Sequence, residues 1–238
     1  MNKKLKAAII ITCSVVIIAA GIFLAWYLIP HKCVSRDDAK TTNVTVPVDF
    51  AELKKINPEI YAWIYIPDTN VDYPILQSAE DDNFYIDHNE RREDDINGAI
   101  YSQNCNAQDF NDPVTVLYGH NMLNGSMFAS LHEFEDDEFF NNHDTMYIYL
   151  PNRVLTYRII NQYVYDNRHI MNSFDFQNEE VRMRYFDSLA NPHSLSAHVR
   201  KNIELNKDDK VVQLSTCLGD SSSRFLVTGV KINDQIAE

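Results

Sequence analysis

Eight short runs of β-branched and aromatic residues, each bounded by Pro, Asn, Asp or Gly, dominate the chain from residue 61 onward. They are YAWIYIP, VDYPILQ, GAIYSQ, VTVLYGH, TMYIYLP, RVLTYRIINQYVYD, KVVQLSTC and RFLVTGVKI. Such runs are typical of β-strands, and many short strands at close spacing indicate a barrel or a sandwich. We therefore predict a mostly β domain, with both architectures still open.

Three segments have helical rather than strand patterns. In VDFAELKKINPE, Asp49 can cap a helix in which Phe50, Leu53 and Ile56 recur at helical spacing, and Pro58 follows its end. SMFASLHEFEDDEFF follows the fourth run, and NEEVRMRYFDSLANPHSLSAHVRKNI separates the sixth run from the seventh. We expect the last two segments to be helical insertions in the β domain.

Residues 7–30, AAIIITCSVVIIAAGIFLAWYLIP, form a run of 24 residues without a charge. This run is longer than the apolar region of a signal peptide and long enough to span a hydrocarbon core about 30 Å thick. We therefore predict a single-pass transmembrane helix. The alternative is a cleaved signal peptide, with the small residues Ala19, Ala20 and Gly21 at its processing site.

The uncharged run divides the chain into three parts. Residues 1–32 are predicted to be a cytoplasmic stub and membrane anchor, residues 33–47 a polar tether, and residues 48–238 the main domain. Lysine and arginine are nearly balanced on the two sides of the run, so the positive-inside rule favours an external domain only slightly. We expect the main domain on the extracellular side of the cell membrane.

The charge of the main domain excludes one class of partner. The chain has 21 basic and 34 acidic side chains, and residues 1–32 hold four of the basic ones and none of the acidic ones. The rest of the chain therefore has a net charge of about −17. Nucleic-acid binding requires a basic surface, so we expect no nucleic-acid partner.

The four cysteines are too scattered for a disulfide framework or a zinc site. Cys13 lies inside the uncharged run and Cys33 just after it, while Cys105 and Cys217 are isolated in the main domain. A second candidate metal site, HEFEDDEFFNNH, lacks the spacing that places two imidazoles on one helical face. We predict no metal and no cofactor. A free thiol outside the cell is open to oxidation, so its presence calls for a chemical reason.

Cys217 lies at the end of a predicted strand. The polar turn LGDSSS separates it from the strand that begins at Arg224, so pairing of the two strands as a hairpin would place both residues at its mouth. A cation there favours the thiolate and could stabilise a developing oxyanion. The alternative is a buried structural cysteine beside a surface arginine.

His120 also ends a predicted strand, and a polar loop containing Asn121, Asn124 and Gly125 follows it. Sites are often built at strand ends and loops. Because free cysteine is only partly ionised near neutral pH, a nucleophilic cysteine needs an activating histidine or cation. His120, Cys217 and Arg224, at three strand ends, therefore predict an acyl-transfer site.

The motifs LYGHNMLNGSMF, QLSTC and SSSRFLVTG together resemble the sortases, and the resemblance covers roughly residues 49–233. The chain is most similar to class B sortases in INPEIYAWIYIPDTNVDYPILQ, in the NMLNGSMF that follows the histidine, and in the long helical insertion at about 177–203. One departure is Gln213, which stands where many sortases have threonine. The resemblance implies a closed β-barrel of about eight strands.

The resemblance also implies a cysteine transpeptidase of the Gram-positive cell wall. Cys217 would attack the carbonyl that follows Thr in a C-terminal sorting motif of an exported protein, Arg224 would hold the oxyanion, and His120 would protonate the leaving amine. An amine of peptidoglycan would then attack the thioacyl intermediate. Ser215 and Thr216 match positions that line the peptide groove in the family, although both could be ordinary strand residues.

Two other functions stay open at this stage. A cysteine peptidase would hydrolyse the same thioacyl intermediate, and it would need the same activated thiol. A surface binding module without catalysis would hold a thiol that reacts no faster than a free cysteine, and the presence of all three polar groups argues against it.

Overall fold

All eight predicted runs form strands, and these strands close into a barrel. The computed structural model describes residues 44–219 and 222–237. The barrel strands are β1 (Ile60–Tyr65), β2 (Asp72–Leu76), β3 (Ile100–Tyr101), β4 (Val114–Tyr118), β5 (Thr145–Leu150), β6 (Arg153–Asp166), β8 (Val211–Cys217) and β9 (Ser223–Ile236). A two-residue strand, β7 (His198–Val199), pairs with β6 outside the barrel.

The strand order decides between barrel and sandwich. The order is β5-β1-β2-β3-β4-β8-β9-β6, and an additional pairing of β5 with β6 closes the ring. Most neighbours are antiparallel, but β2 with β3 and β4 with β8 run parallel. The predicted closed barrel of about eight strands is therefore confirmed.

Side chains alternate between the barrel interior and its outer surface. In β5, Met146, Ile148 and Leu150 are buried, whereas Tyr147 and Tyr149 between them are partly exposed. The interior cluster also contains Leu155, Leu214 and Phe225 from the facing strands. This alternation with a period of two is what the sequence runs predict for strands with one buried face.

Among the described residues, four α-helices and two 3-10 segments lie around the barrel. The helices are α1 (Phe50–Ile56), α2 (Asp137–Asn142), α3 (Ile170–Ser173) and α4 (Glu179–Ala190), and the 3-10 segments are Phe84–Ile86 and Ala129–Glu135. The Asp49 side chain caps α1, as predicted, by accepting from the backbone N–H groups of Ala51 and Glu52. The first predicted insertion, after β4, contains the 3-10 segment Ala129–Glu135 followed by α2.

The second insertion is helical over only half of its predicted length. Helix α4 ends at Ala190, and the chain continues through turns to the short strand β7. The reason is Pro192, because proline disfavours the helical conformation of the residue before it. Asn191 accordingly leaves the helical region, with φ −138° and ψ 63°.

Helix α4 covers the outer face of the strands that lead to the predicted site. Tyr185, Phe186 and Leu189 of α4 belong to one apolar cluster with Val114 and Val116 of β4. Gln213 of β8, which stands where threonine is expected, also packs between the barrel and α4. It is fully buried, its Nε2 donates to the Tyr163 hydroxyl at 3.0 Å, and its Oε1 accepts from the Tyr185 hydroxyl.

The predicted membrane anchor and most of the predicted tether fall within residues 1–43, which lie outside the described residues. Among the described residues, no helix is long and apolar enough to cross a membrane.

Candidate active site

The pairing of β4, β8 and β9 brings the three candidate residues to one edge of the barrel. Strands β8 and β9 are antiparallel, and Cys217 lies directly opposite Arg224, as the predicted hairpin requires. Strands β4 and β8 are parallel, with Tyr118 beside Ser215. Because parallel strands end at the same edge, His120 emerges two residues beyond Tyr118 where Cys217 emerges two residues beyond Ser215.

One cavity at this edge is lined by four of the five predicted site residues. His120, Cys217, Arg224 and Ser215 all contribute to its wall. Other contributions come from β3, β4, β9 and the segments after β2 and β6, namely Ile86, Tyr101, Tyr118, Tyr165, His169 and Leu226. The cavity therefore brings a thiol, an imidazole and a guanidinium together in a wall of aromatic and apolar side chains that also includes the polar residues Asn83, Gln103 and Arg168.

Thr216, the fifth predicted residue, is not part of this cavity. Neighbouring side chains of a strand point to opposite faces, so Thr216 faces away from Ser215 and Cys217. It is 2% exposed, and its hydroxyl oxygen has no hydrogen-bond partner in the described part of the chain. The structure therefore does not place the Thr216 side chain on the groove.

His120 is held from both its ring and its backbone. Its Nε2 lies 2.6 Å from the Ile86 carbonyl oxygen, which can only accept, so Nε2 carries a proton. Its own carbonyl accepts from the Phe128 N–H at 2.9 Å. Within the described chain no hydrogen bond reaches Nδ1. This nitrogen is therefore the one available to exchange a proton with a bound substrate.

Gly119 allows this arrangement because no side chain fits at its position. A Cβ built there would lie 2.4 Å from Cδ1 of Ile100 and 2.8 Å from the ring of Phe128. Its own N–H donates to the Ser215 carbonyl at 3.2 Å, which extends the β4–β8 pairing by one bond. The close contact fixes the backbone immediately before His120.

The cation at Arg224 is not neutralised by an ion pair within the described ranges. Its Nη1 donates to the carbonyl of Ser223 at 3.1 Å, and no described carboxylate lies within salt-bridge distance. Burial raises the pKa of the neighbouring Tyr101 to about 12, although the positive charge of Arg224 opposes this shift. Tyr101 therefore keeps its proton at neutral pH and presents a neutral hydroxyl near the pair of Cys217 and Arg224.

His169 is a cavity residue that the sequence analysis missed. Its Nδ1 accepts from the N–H of Asn172 at 3.1 Å, and its Nε2 bonds to Oε1 of Gln103 at 2.5 Å. Both nitrogens are thus occupied, and the ring ties the loop after β6 to the loop after β3. Its place just after a long strand was a signal, but its partner lies 66 residues away in the sequence.

The second thiol of the domain has a different environment. Cys105 is exposed, and the structure places it outside the cavity wall. Partial desolvation and the nearby carboxylates of Asp82 and Asp112 raise the pKa of its thiol. These effects disfavour a thiolate at Cys105.

The acidic segment HEFEDDEFFNNH does not form a metal-binding cluster among the described residues. Across residues 44–219 and 222–237, no group of three His, Cys, Asp or Glu side chains is arranged to bind a metal ion. His132 pairs with Glu135, while His143 lies beside Asp68. The two histidines therefore serve separate contacts.

Comparisons with known proteins agree with this architecture. A family model described as the sortase domain matches residues 64–232. Sortase B of Listeria monocytogenes serovar 1/2a is 32% identical over 194 residues, which cover 78% of this chain and 74% of that protein. The matched range of the family model includes all three strand ends that carry His120, Cys217 and Arg224.

Solved structures of similar proteins have the same fold. A mutant form of Clostridium perfringens sortase B aligns with a TM-score of 0.69 at 30% identity, covering 77% of this chain and 86% of that one. Sortase B from B. anthracis aligns with a TM-score of 0.68 at 28% identity, covering 79% and 84%. The similarity thus spans most of each protein, and each of the three relatives named is a sortase B.

Proposed function

The chain belongs to the sortase family and is most like its class B members, and on this premise we propose that it is a membrane-anchored cysteine transpeptidase. It would cleave a C-terminal sorting motif of exported proteins and join them to an amine of peptidoglycan. The observation that carries this proposal is the register of β8 and β9, which sets Cys217 directly opposite Arg224 in the cavity that His120 also lines.

The geometry supports a nucleophilic role for Cys217 and a charge-stabilising role for Arg224. Directly opposed residues of antiparallel strands have Cβ atoms about 4.5–5.5 Å apart. A guanidinium on the residue opposite the thiol would favour the thiolate before attack and could donate to the carbonyl oxygen as it becomes an oxyanion. Arg224 lines the same cavity as Cys217, so its charge would face a bound substrate.

His120 supplies the proton in this proposal. Its Nε2 is committed to the Ile86 carbonyl, so proton exchange takes place at Nδ1. Before attack, the proton of the Cys217 thiol would lie on Nδ1 of His120, which as a general acid would give it to the amine that leaves when Cys217 forms the thioacyl bond. As a general base, Nδ1 would then accept a proton from the incoming amine. The same ring therefore serves both half-reactions.

Ser215 and the aromatic wall would bind the sorting peptide. Ser215 lines the cavity beside Cys217, and Tyr118 and Leu226 add apolar surface next to it. Thr216 would contribute only through its backbone, because its side chain is buried on the other face of β8. The loop that carries His169 would form the opposite wall.

The product distinguishes transpeptidation from hydrolysis. The domain from residue 44 onward should be incubated with a library of sorting peptides, with and without an amine acceptor, and the products identified by mass spectrometry. Transfer to the amine supports the proposal, whereas hydrolysis that the amine does not divert indicates a peptidase. Cys217→Ala should abolish cleavage, and Cys105→Ala is the matched control that should retain it.

Localisation forms a separate part of the proposal. The uncharged run at residues 7–30 would anchor the chain in the cell membrane with its catalytic domain outside. The full chain should then fractionate with membranes, and protease added to intact cells should digest the domain. Release of a shortened chain into the medium would instead indicate a cleaved signal peptide.

A further inference from the structure

A chain of hydrogen bonds outside the cavity ends on the backbone of Cys217. The side-chain Nδ2 of Asn121 donates to the Cys217 carbonyl at 2.9 Å and also lies 3.1 Å from Nε2 of His132. Nδ1 of His132 in turn lies 3.2 Å from Oε2 of Glu135. We infer that Asn121 and His132 are positioning residues that fix the nucleophile Cys217 relative to His120, a role that rests on the proposed function.

The chemistry of the end groups fixes the direction of every bond in this chain. The Cys217 carbonyl can only accept, so the amide of Asn121 must turn its NH₂ group toward it. The second hydrogen of that NH₂ group is then donated to Nε2 of His132, which must be unprotonated. His132 therefore carries its proton on Nδ1 and donates it to the Glu135 carboxylate.

Asn121 connects the backbone next to His120 with the backbone of Cys217 by a single hydrogen bond. It follows His120 in sequence and bonds across to the residue that carries the thiol, 96 positions away. Its own backbone is held by a bridge to Met127, and the next N–H, that of Phe128, donates to the His120 carbonyl. A displaced Asn121 side chain would leave the loop that carries His120 without its side-chain tie to the end of β8.

His132 strengthens the orientation of the Asn121 amide that the Cys217 carbonyl requires. An amide can rotate by half a turn and exchange its NH₂ group with its oxygen. In that orientation its oxygen would face the Cys217 carbonyl, and two acceptors would repel each other. His132 prevents the rotation by accepting from the NH₂ group, and its ring is itself fixed by stacking on Phe225 at 4.3 Å between centroids.

Two substitutions at His132 separate this role from simple packing. His132→Phe keeps an aromatic ring on Phe225 but removes the acceptor, whereas His132→Gln loses the ring but retains an acceptor oxygen. If the ring matters only for packing, the phenylalanine variant should be the better enzyme. If it orients Asn121, the glutamine variant should be the better one. Thermal unfolding of both variants checks that each is folded.

The kinetic test compares kcat and KM for peptide transfer by the two variants. We expect His132→Phe to lose about tenfold to a hundredfold in kcat with KM nearly unchanged, the scale of a small misplacement of reacting groups. His132→Gln should retain most of the wild-type kcat. Wild-type kcat in a folded His132→Phe, or a larger loss in His132→Gln than in His132→Phe, overturns the inference.

A spectroscopic test needs no activity, so it separates failure of this inference from failure of the proposed function. The ¹⁵N chemical shifts of His132 should identify Nδ1 as the protonated nitrogen in the wild-type domain, and Nε2 as the unprotonated one. The ¹³C shift of the Cys217 carbonyl should change in His132→Phe and stay near the wild-type value in His132→Gln. A proton on Nε2, or an unchanged carbonyl shift in His132→Phe, overturns the inference even if the domain transfers peptides.

Discussion

Replacing Gly119 with alanine tests whether the site depends on the close packing under His120. The added Cβ would lie 2.4 Å from Cδ1 of Ile100 and 2.8 Å from the Phe128 ring, distances at which something must move. Neither neighbour can move freely, because Ile100 is 1% exposed and Phe128 is fully buried in the core. The backbone of Gly119 does not have a positive φ, so alanine causes no conformational strain of its own.

The expected cost of Gly119→Ala follows from this contact. Adding atoms to a well-packed core typically destabilises a protein by about 1–3 kcal/mol, and a domain of this size then loses roughly 2–4 °C in Tm for each kcal/mol. We expect a destabilisation in the upper half of the range of about 1–3 kcal/mol, since two buried side chains are affected. Because the strain is relieved partly by movement of the adjacent residue, His120, kcat should fall as well.

A double-mutant cycle with Ile100→Val identifies the cause. Valine lacks the Cδ1 atom that makes the shortest contact, so Ile100→Val should recover part of the lost stability in the Gly119→Ala background. We expect a coupling energy of about 0.5–3 kcal/mol from denaturant unfolding of the four proteins. Gly125→Ala is the control, because its φ of +80° makes alanine strained there but its Cβ would meet only Asn70, at 3.5 Å.

The outcome that refutes this reasoning is additivity. If Ile100→Val destabilises the Gly119→Ala protein as much as it destabilises the wild type, the two residues do not compete for space. Gly125→Ala should lose stability without any coupling to Ile100→Val. Equal coupling at both glycines would point to a general effect of Ile100→Val on the fold.

Two further substitutions and one labelling experiment test the chemistry. His120→Ala should lower turnover by about 10²–10⁴, the range for a positioned general acid or base, and native-like turnover would remove it from the mechanism. Arg224→Lys should keep alkylation of Cys217 by a small electrophile close to wild type yet lower peptide cleavage by roughly 10²-fold or more, because lysine keeps the charge but lacks the guanidinium fork. Parallel loss of both rates in Arg224→Lys would make thiolate tuning its main role. Since desolvation and nearby carboxylates raise the pKa of Cys105, a Cys217→Ala protein should be alkylated more slowly than a free cysteine peptide at neutral pH, and its rate should rise only at higher pH. If Cys105 were alkylated as fast as the cysteine peptide at neutral pH, its thiol pKa would not be raised, and the description of its surroundings would be wrong.

The strands themselves could be predicted from local sequence patterns, but their long-range pairing could not. The eight runs were recognisable because each is rich in β-branched and aromatic residues, and the turn after Cys217 predicted its pairing with Arg224. The parallel pairing of β4 with β8 is different, since about a hundred residues separate these strands. The strand-end positions of His120, Cys217 and Arg224 suggested one site, but no local pattern predicted the β4–β8 pairing that places His120 beside Cys217.

Two discrepancies could have been avoided by applying known rules more strictly. Alternation along β8 places Ser215 and Cys217 on one face and Thr216 on the other, so only one of the two predicted groove residues could present its side chain to the cavity. Pro192 likewise marks the end of α4 within the insertion. In both cases the sequence contains the relevant signal. The prediction for Thr216 followed the family motif instead, and the prediction for the insertion continued the helical pattern beyond Pro192.

The remaining site residues could not be predicted from local sequence. His169 reaches the cavity through a bond to Gln103, and His132 reaches the nucleophile through Asn121. These contacts join loops that only tertiary packing brings together. A histidine in a loop is not part of a helical or strand periodicity, so the sequence does not indicate which residue it will contact. The acidic surroundings of His132 suggested a metal site rather than a positioning role.

The central claim is that Cys217 forms a thioacyl bond which an amine then breaks. The most direct measurement is intact-mass spectrometry of the domain mixed with an uncleaved sorting peptide, first without and then with an amine acceptor, followed by peptide mapping. The account predicts a mass increase equal to the amino-terminal peptide fragment, located on Cys217, and its loss to an amide product when the amine is added. An adduct on Cys105, or peptide cleavage in a Cys217→Ala protein, would contradict it.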